Sequence, residues 1–150
     1  MSTNNINDLT QHSPRSPRSR LGGYVILPRV LDKARAKAAG KIGEYVYPGP
    51  LDKRFFEFVK IDPDALYAEV QTGKGDGEIL EWINQNAGHK PAPWEILQWS
   101  AYNEARTADS IQAKERVLKA VTAVAPKRTD ILTGFDSLEL DDYVTFGGKA

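Results

Sequence analysis

The sequence predicts a mainly all-α fold: a single compact helical domain of about six helices, with at most one or two very short strands. Three observations carry that expectation. Stretches of eight to fourteen residues repeat apolar side chains at helical spacing. Proline or an Asp/Ser cap precedes several of them, and glycine or proline follows. The whole chain is 150 residues long, the size of one domain. The apolar share is 41%, or about 45% once the six Tyr are exchanged for the twelve Gly, ordinary for a globular protein.

From the start, residues 1–13 read as a polar, disordered tail without hydrophobic period. Ser13 to Arg20 follows with two Ser-Pro-Arg units. Residues before proline favour extended geometry, so 14–23 reads as an extended basic arm ending in the Gly22-Gly23 hinge. The helical domain spans 14–150 with that arm included. Tyr24 to Leu27 is a short apolar run, and Pro28 opens a helix to Ala39 that Gly40 ends. Leu27, Val30, Leu31, Ala34 and Ala38 share one side of it. Arg29, Lys33 and Lys37 recur every four residues on another.

Glu44 to Tyr47 is a second extended candidate, closed by Pro48-Gly49-Pro50. A helix over 51–60 buries Leu51, Phe55, Phe58 and Val59. Asp62-Pro63 caps and opens the next, to about Gln71. Gly73 to Gly77 is a turn, because its glycine spacing and helical flanks do not fit a phosphate loop. A helix over 78–87 presents Ile79, Leu80, Trp82 and Ile83. The helix 94–107 is apolar around most of its circumference, which places it centrally. Asp109 or Ser110 caps the last long helix, to about Ala125, with Val117, Leu118, Val121 and Val124 inward. Residues 127–150 show no clear period, and Tyr143 to Phe146 reads as a strand or a docking tail.

Function classes narrow by exclusion. Zero Cys removes disulfides, thiolate metal sites and a cysteine nucleophile. Only His12 and His89 are present and no carboxylate spacing matches a metal motif, so no metal and no cofactor are expected. No Gly-x-Ser-x-Gly occurs. Trp82, Trp94 and Trp99 lie at core-compatible spacing rather than as a stacking platform. No run reaches the roughly 18 apolar residues of a membrane span, nor the apolar centre of a signal peptide, which points to the cytoplasm. Net charge is zero, with twenty residues of each sign, so neither nucleic acid nor membrane is the expected partner.

That zero is uneven. Residues 1–47 hold eight basic and three acidic residues, which leaves twelve and seventeen for the rest, or about +5 against −5. Either the two halves neutralise each other inside the fold, or the basic segment 15–47 captures an anion. The leading functional expectation is a non-catalytic binding module. It would recognise an anionic small molecule or an acidic protein surface through Arg18, Arg20, Arg29, Lys33, Arg35 and Lys37, with Tyr24 and Tyr45 as walls. Reversing Arg29 and Arg35 is then expected to abolish capture and leave the fold intact. The alternative is a small enzyme on a phosphorylated or carboxylated substrate, with Asp32 or Glu44 as base and Tyr45 as acid. A third expectation is homo-oligomerisation, basic half against acidic half.

The strings Ser16-Pro17-Arg18, Arg20 to Arg29, Leu31 to Ala36 and Gly43-Glu44-Tyr45 resemble a bacterial family catalogued only as a domain of unknown function. The likeness runs from about Pro14 to Phe135 and is strongest from Ser16 to Tyr45. It implies a stand-alone bacterial cytoplasmic domain and carries no activity, cofactor or catalytic residue.

Overall fold

The computed structural model describes residues 6–150, and the first five residues of the expected tail lie outside that range. Among the described residues, two short strands, β1 (Arg20–Leu21) and β2 (Tyr24–Val25), pair antiparallel across Gly22-Gly23. Both glycines have positive φ, 60° and 84°, which a two-residue hairpin turn requires and other residues resist. Seven helices follow: α1 (Leu27–Ala38), α2 (Asp52–Val59), α3 (Pro63–Val70), α4 (Asp76–Asn86), α5 (Pro93–Ala105), α6 (Ile111–Val124) and α7 (Gly134–Thr145). None is long and apolar enough to cross a membrane.

The first six helices begin within two residues of their expected starts. Pro28 occupies the first turn of α1, Asp62 accepts the Asp64 amide at the head of α3, and Ser110 accepts the Ala113 amide at the head of α6. Residues 71–75 form the turn between α3 and α4, and Asp76 and Gly77, expected in that turn, are the first residues of α4.

The central helix is α1, not α5. Leu27, Val30, Leu31 and Ala34 are fully buried, and Arg29 and Lys33 are buried on its other sides. Around it stand Tyr24, Phe55, Val59, Leu66, Ile79 and Ile83 in one continuous core. Tyr24 packs edge-on against Phe55, Phe58 and Trp99. Helix α5 lies at the surface. Its inner face covers the hairpin, where the Ser100 hydroxyl donates to the Gly23 carbonyl at 2.6 Å and accepts the Val25 amide at 3.1 Å. A hairpin of two-residue strands leaves backbone groups without ladder partners, so a serine there outranks an apolar residue. The outer face keeps Trp94, Leu97 and Tyr102 exposed.

Four further expectations change. Residues 44–47 form a turn and loop rather than a strand, and Tyr47 alone of them is buried. Tyr143 to Thr145 is the last turn of α7. That helix has no single apolar stripe because it meets three environments. Phe135 joins the main core, Leu140 joins a small second cluster with Val121 and Ala125, and Asp142 faces Arg29. Within residues 6–13, where a tail is expected, Leu9 is 1% exposed and its amide donates to the Lys41 carbonyl at 2.9 Å. On α6, Val121 is buried and Val117 partly so, while Leu118 and Val124 face solvent.

Candidate functional site

Most cations of segment 15–47 meet carboxylates of the chain itself, all but Asp32 from outside the segment. Arg15 bridges Asp32 at 2.9 Å and Asp76 at 2.7 Å, and Arg35 reaches the same Asp76 at 2.8 Å. Arg18 pairs with Asp136 and, at 3.3 Å, with Glu139, while Arg20 pairs with Glu104 at 3.0 Å. Lys33, 6% exposed, lies 2.5 Å from the fully buried Asp52, which also accepts the Gly49 amide at 2.7 Å. Burial pulls the Lys33 pKa down, and Asp52 opposes that fall. Lys37 has no carboxylate; its ammonium lies over the Tyr67 and Tyr47 rings at 4.7 and 5.7 Å.

Arg29 is the most buried of these cations. Its guanidinium forks onto Asp142, with 2.7 and 3.0 Å bonds, and stacks at 5.5 Å from the centre of the Tyr45 ring. The Tyr45 hydroxyl donates to the same carboxylate at 2.9 Å. Burial and that bond to Asp142 both push the Tyr45 pKa up. Arg29 also donates to the Arg15 carbonyl at 3.3 Å, so its charge and that of Asp142 are already met within the chain, with Tyr45 on the same carboxylate. Reversing Arg29 would set two carboxylates face to face in the interior, so the expectation of an intact fold does not survive this geometry.

Tyr24 is a core residue rather than a wall. Asp32 accepts the Arg15 amide and guanidinium, Tyr45 engages Asp142, and Glu44 is exposed with no ion pair or side-chain hydrogen bond among the described residues. The acid–base candidates are thus dispersed over separate partners.

A cleft of about 650 Å³ opens between residues 11–16 and the end of α7. His12, Ser16, Glu139, Asp142, Tyr143 and Phe146 are among its lining. His12 Nδ1 lies 2.8 Å from the Ser13 carbonyl, which can only accept, so Nδ1 carries hydrogen and, in the neutral ring, Nε2 holds the free lone pair. Glu139 accepts the Ser16 hydroxyl at 2.5 Å besides Arg18, and Asp142 is held by Arg29 and Tyr45. The described residues form no cluster of three or more His, Asp or Glu fit to hold a metal ion.

Unpaired cations occur instead on a helix that the +5/−5 division hides. Lys114, Arg116 and Lys119 project from α6 over less than two turns, Lys127 follows, and none has an ion pair among the described residues. Beside them Ile111 is 72% and Leu118 67% exposed. Ile111, Lys114 and Leu118, at i, i+3 and i+7, share one line of the helix. The net charge of residues 111–128 is about +4, from Lys114, Arg116, Lys119, Lys127 and Arg128 against Glu115, a signal a finer window along the sequence would have found.

No curated protein matches the chain. The family model described as Domain of unknown function (DUF5069) matches residues 11–144, which takes in the arm, the central helix, α6 and nearly all of α7, and the chain belongs to that family.

Proposed function

We propose that the domain is a non-catalytic binding module that docks an acidic protein surface through α6. The observation that carries the reading is the contrast in pairing. Apart from Lys37 over its tyrosines and Lys41, the cations of segment 15–47 are held by internal carboxylates, whereas Lys114, Arg116 and Lys119 have no ion pair among the described residues and stand beside exposed Ile111 and Leu118. An internal ion pair must be broken before its cation can serve an external anion, while an unpaired surface cation needs only to shed water. Apolar anchors among charges are the composition of an interface, with the cations steering approach and the apolar contacts holding it.

The test is charge reversal of Lys114, Arg116 and Lys119 to Glu in one variant, with Lys53→Glu and Lys90→Glu as an exposed control elsewhere. The probe is an immobilised Glu/Leu-rich amphipathic peptide at low and high salt. The α6 variant should keep the wild-type melting temperature and bind at least about tenfold more weakly, while the control binds as wild type. Equal loss in both variants, or none in the α6 variant, would overturn the proposal. A thermal-shift panel of phosphorylated metabolites and dicarboxylates covers the small-anion form of the reading. A ligand at about 100 times its Kd stabilises by about 2.7 kcal/mol, and a shift retained by the α6 variant would return the anion site to another cation set.

A further inference from the structure

Helix α5 carries an outward face of a different kind. Trp94, Leu97, Ala101 and Ala105 follow one another at i, i+3, i+7 and i+11, and all are exposed, with Gln98 and Tyr102 alongside. Trp94 is 62%, Leu97 56% and Tyr102 61% exposed, on a helix whose inner face is already occupied by the hairpin. No charged residue interrupts the stripe. The two carboxylates on the flanks are held within the chain, Glu95 by the Ala92 amide at 3.0 Å and Glu104 by Arg20 at 3.0 Å.

We infer that this face is the seam of a two-fold dimer, with α5 packed antiparallel against α5 of a second copy. The proposal goes beyond the α6 reading and does not depend on it. Size complementarity along the stripe selects the occupant. The bulky residues Trp94 and Leu97 lie in the first half of the helix and the small residues Ala101 and Ala105 in the second. A two-fold axis near the middle of the helix reverses the partner's direction. Each Trp94 then lies across from Ala105 of the second copy, and each Leu97 across from Ala101, so that large side chains enter the spaces small ones leave. A parallel pairing would set Trp94 against Trp94 and leave a gap between alanines.

Charge agrees with the same occupant. With Glu95 and Glu104 on opposite flanks and each held by its own chain, two copies approach without an unscreened like-charge contact at the seam. Trp94, Leu97 and Tyr102, each more than half exposed, supply most of the apolar area of the seam, and a specific interface needs about 1,000 Å² from the two copies together. A seam confined to one helix face is expected to give a concentration-dependent dimer rather than an obligate one.

The experiment uses the full chain. Sedimentation equilibrium across micromolar to millimolar concentrations should show a monomer–dimer equilibrium, and Leu97→Glu should remain monomeric with an unchanged melting temperature. Because the chain has no cysteine, single Leu97→Cys and Ala101→Cys chains can be mixed under mild oxidation. The mixture should form a covalent dimer several-fold faster than either variant alone. A monomer at every concentration, a dimer that survives Leu97→Glu, or Leu97→Cys alone linking as fast as the mixture would each overturn the seam. Failure here with loss of peptide binding in the α6 variant would leave the α6 reading standing.

Discussion

At Arg29 the interior holds a guanidinium that is 2% exposed and bonded twice to Asp142, with Tyr45 completing the carboxylate's shell. Two buried ions need not add net stability, since their desolvation offsets most of their attraction, but removing one partner strands the other. Arg29→Glu should therefore cost about 3–5 kcal/mol by urea denaturation, and the matched apolar pair Arg29→Met with Asp142→Leu should recover most of it. If the single reversal proved neutral, Asp142 would have to be reaching water. The sequence showed that Arg29, Lys33 and Lys37 share a stripe, but not that two of the three face inward. Their partners Asp142 and Asp52 lie 113 and 19 residues away, and i, i+4 spacing reads the same for a solvated face and for one that meets buried carboxylates.

The arm, α1 and α4 meet at a single carboxylate. Asp76 opens the first turn of α4 and accepts from Arg15 of the arm and Arg35 of α1, and the bond from Arg15 is the largest influence holding its pKa below the usual aspartate range. A carboxyl with a depressed pKa in the folded state binds its proton more weakly there than in the unfolded chain. Its contribution is complete above the ordinary value of about 3.9 and disappears as pH falls through the lower, folded one. Asp76→Asn should therefore melt below wild type at neutral pH, and the gap should close as pH is lowered from about 5 toward 2. A pH-independent gap would assign the effect to something other than this charge. Among the elements, those with a cap or an initial proline were legible, because the signal is local. Helix α5 was legible as a helix but not in its position, since apolar residues on all sides fit both a buried helix and one with an unpartnered outer face. Helix α7 begins at a Thr133 cap with Asp136 reaching back, a local signal present in the sequence, yet its three environments erase the periodicity that usually draws attention to a helix.

Taken whole, the molecule is wired by its N-terminal segment. Leu9 inserts into the body beside Lys41, Arg15 joins α1 to α4, Ser16 and Arg18 reach α7, and the Pro17 carbonyl accepts the Ile26 amide where the hairpin enters α1. The opposed charges of the two halves are largely the trace of this wiring, which is the first of the two readings that the charge count leaves open. Composition could not reveal the wiring, because a segment that is polar on average needs only one anchor to dock. Leu9 is that anchor: its side chain is 1% exposed although the residues around it are mostly polar. Leu9→Ala should cost about 2–5 kcal/mol, from the lost transfer of the side chain and the cavity left behind. For a domain of this size each kcal/mol moves the melting temperature by roughly 2–4 °C, so the shift should be at least about 4 °C. Ile6→Ala, three residues earlier and 72% exposed, should change stability by no more than about 0.5 kcal/mol. The pair isolates docking from composition: equal small effects would mean that the segment does not hold the body together, while a large effect at Leu9 alone makes residues 6–13 part of the domain's core.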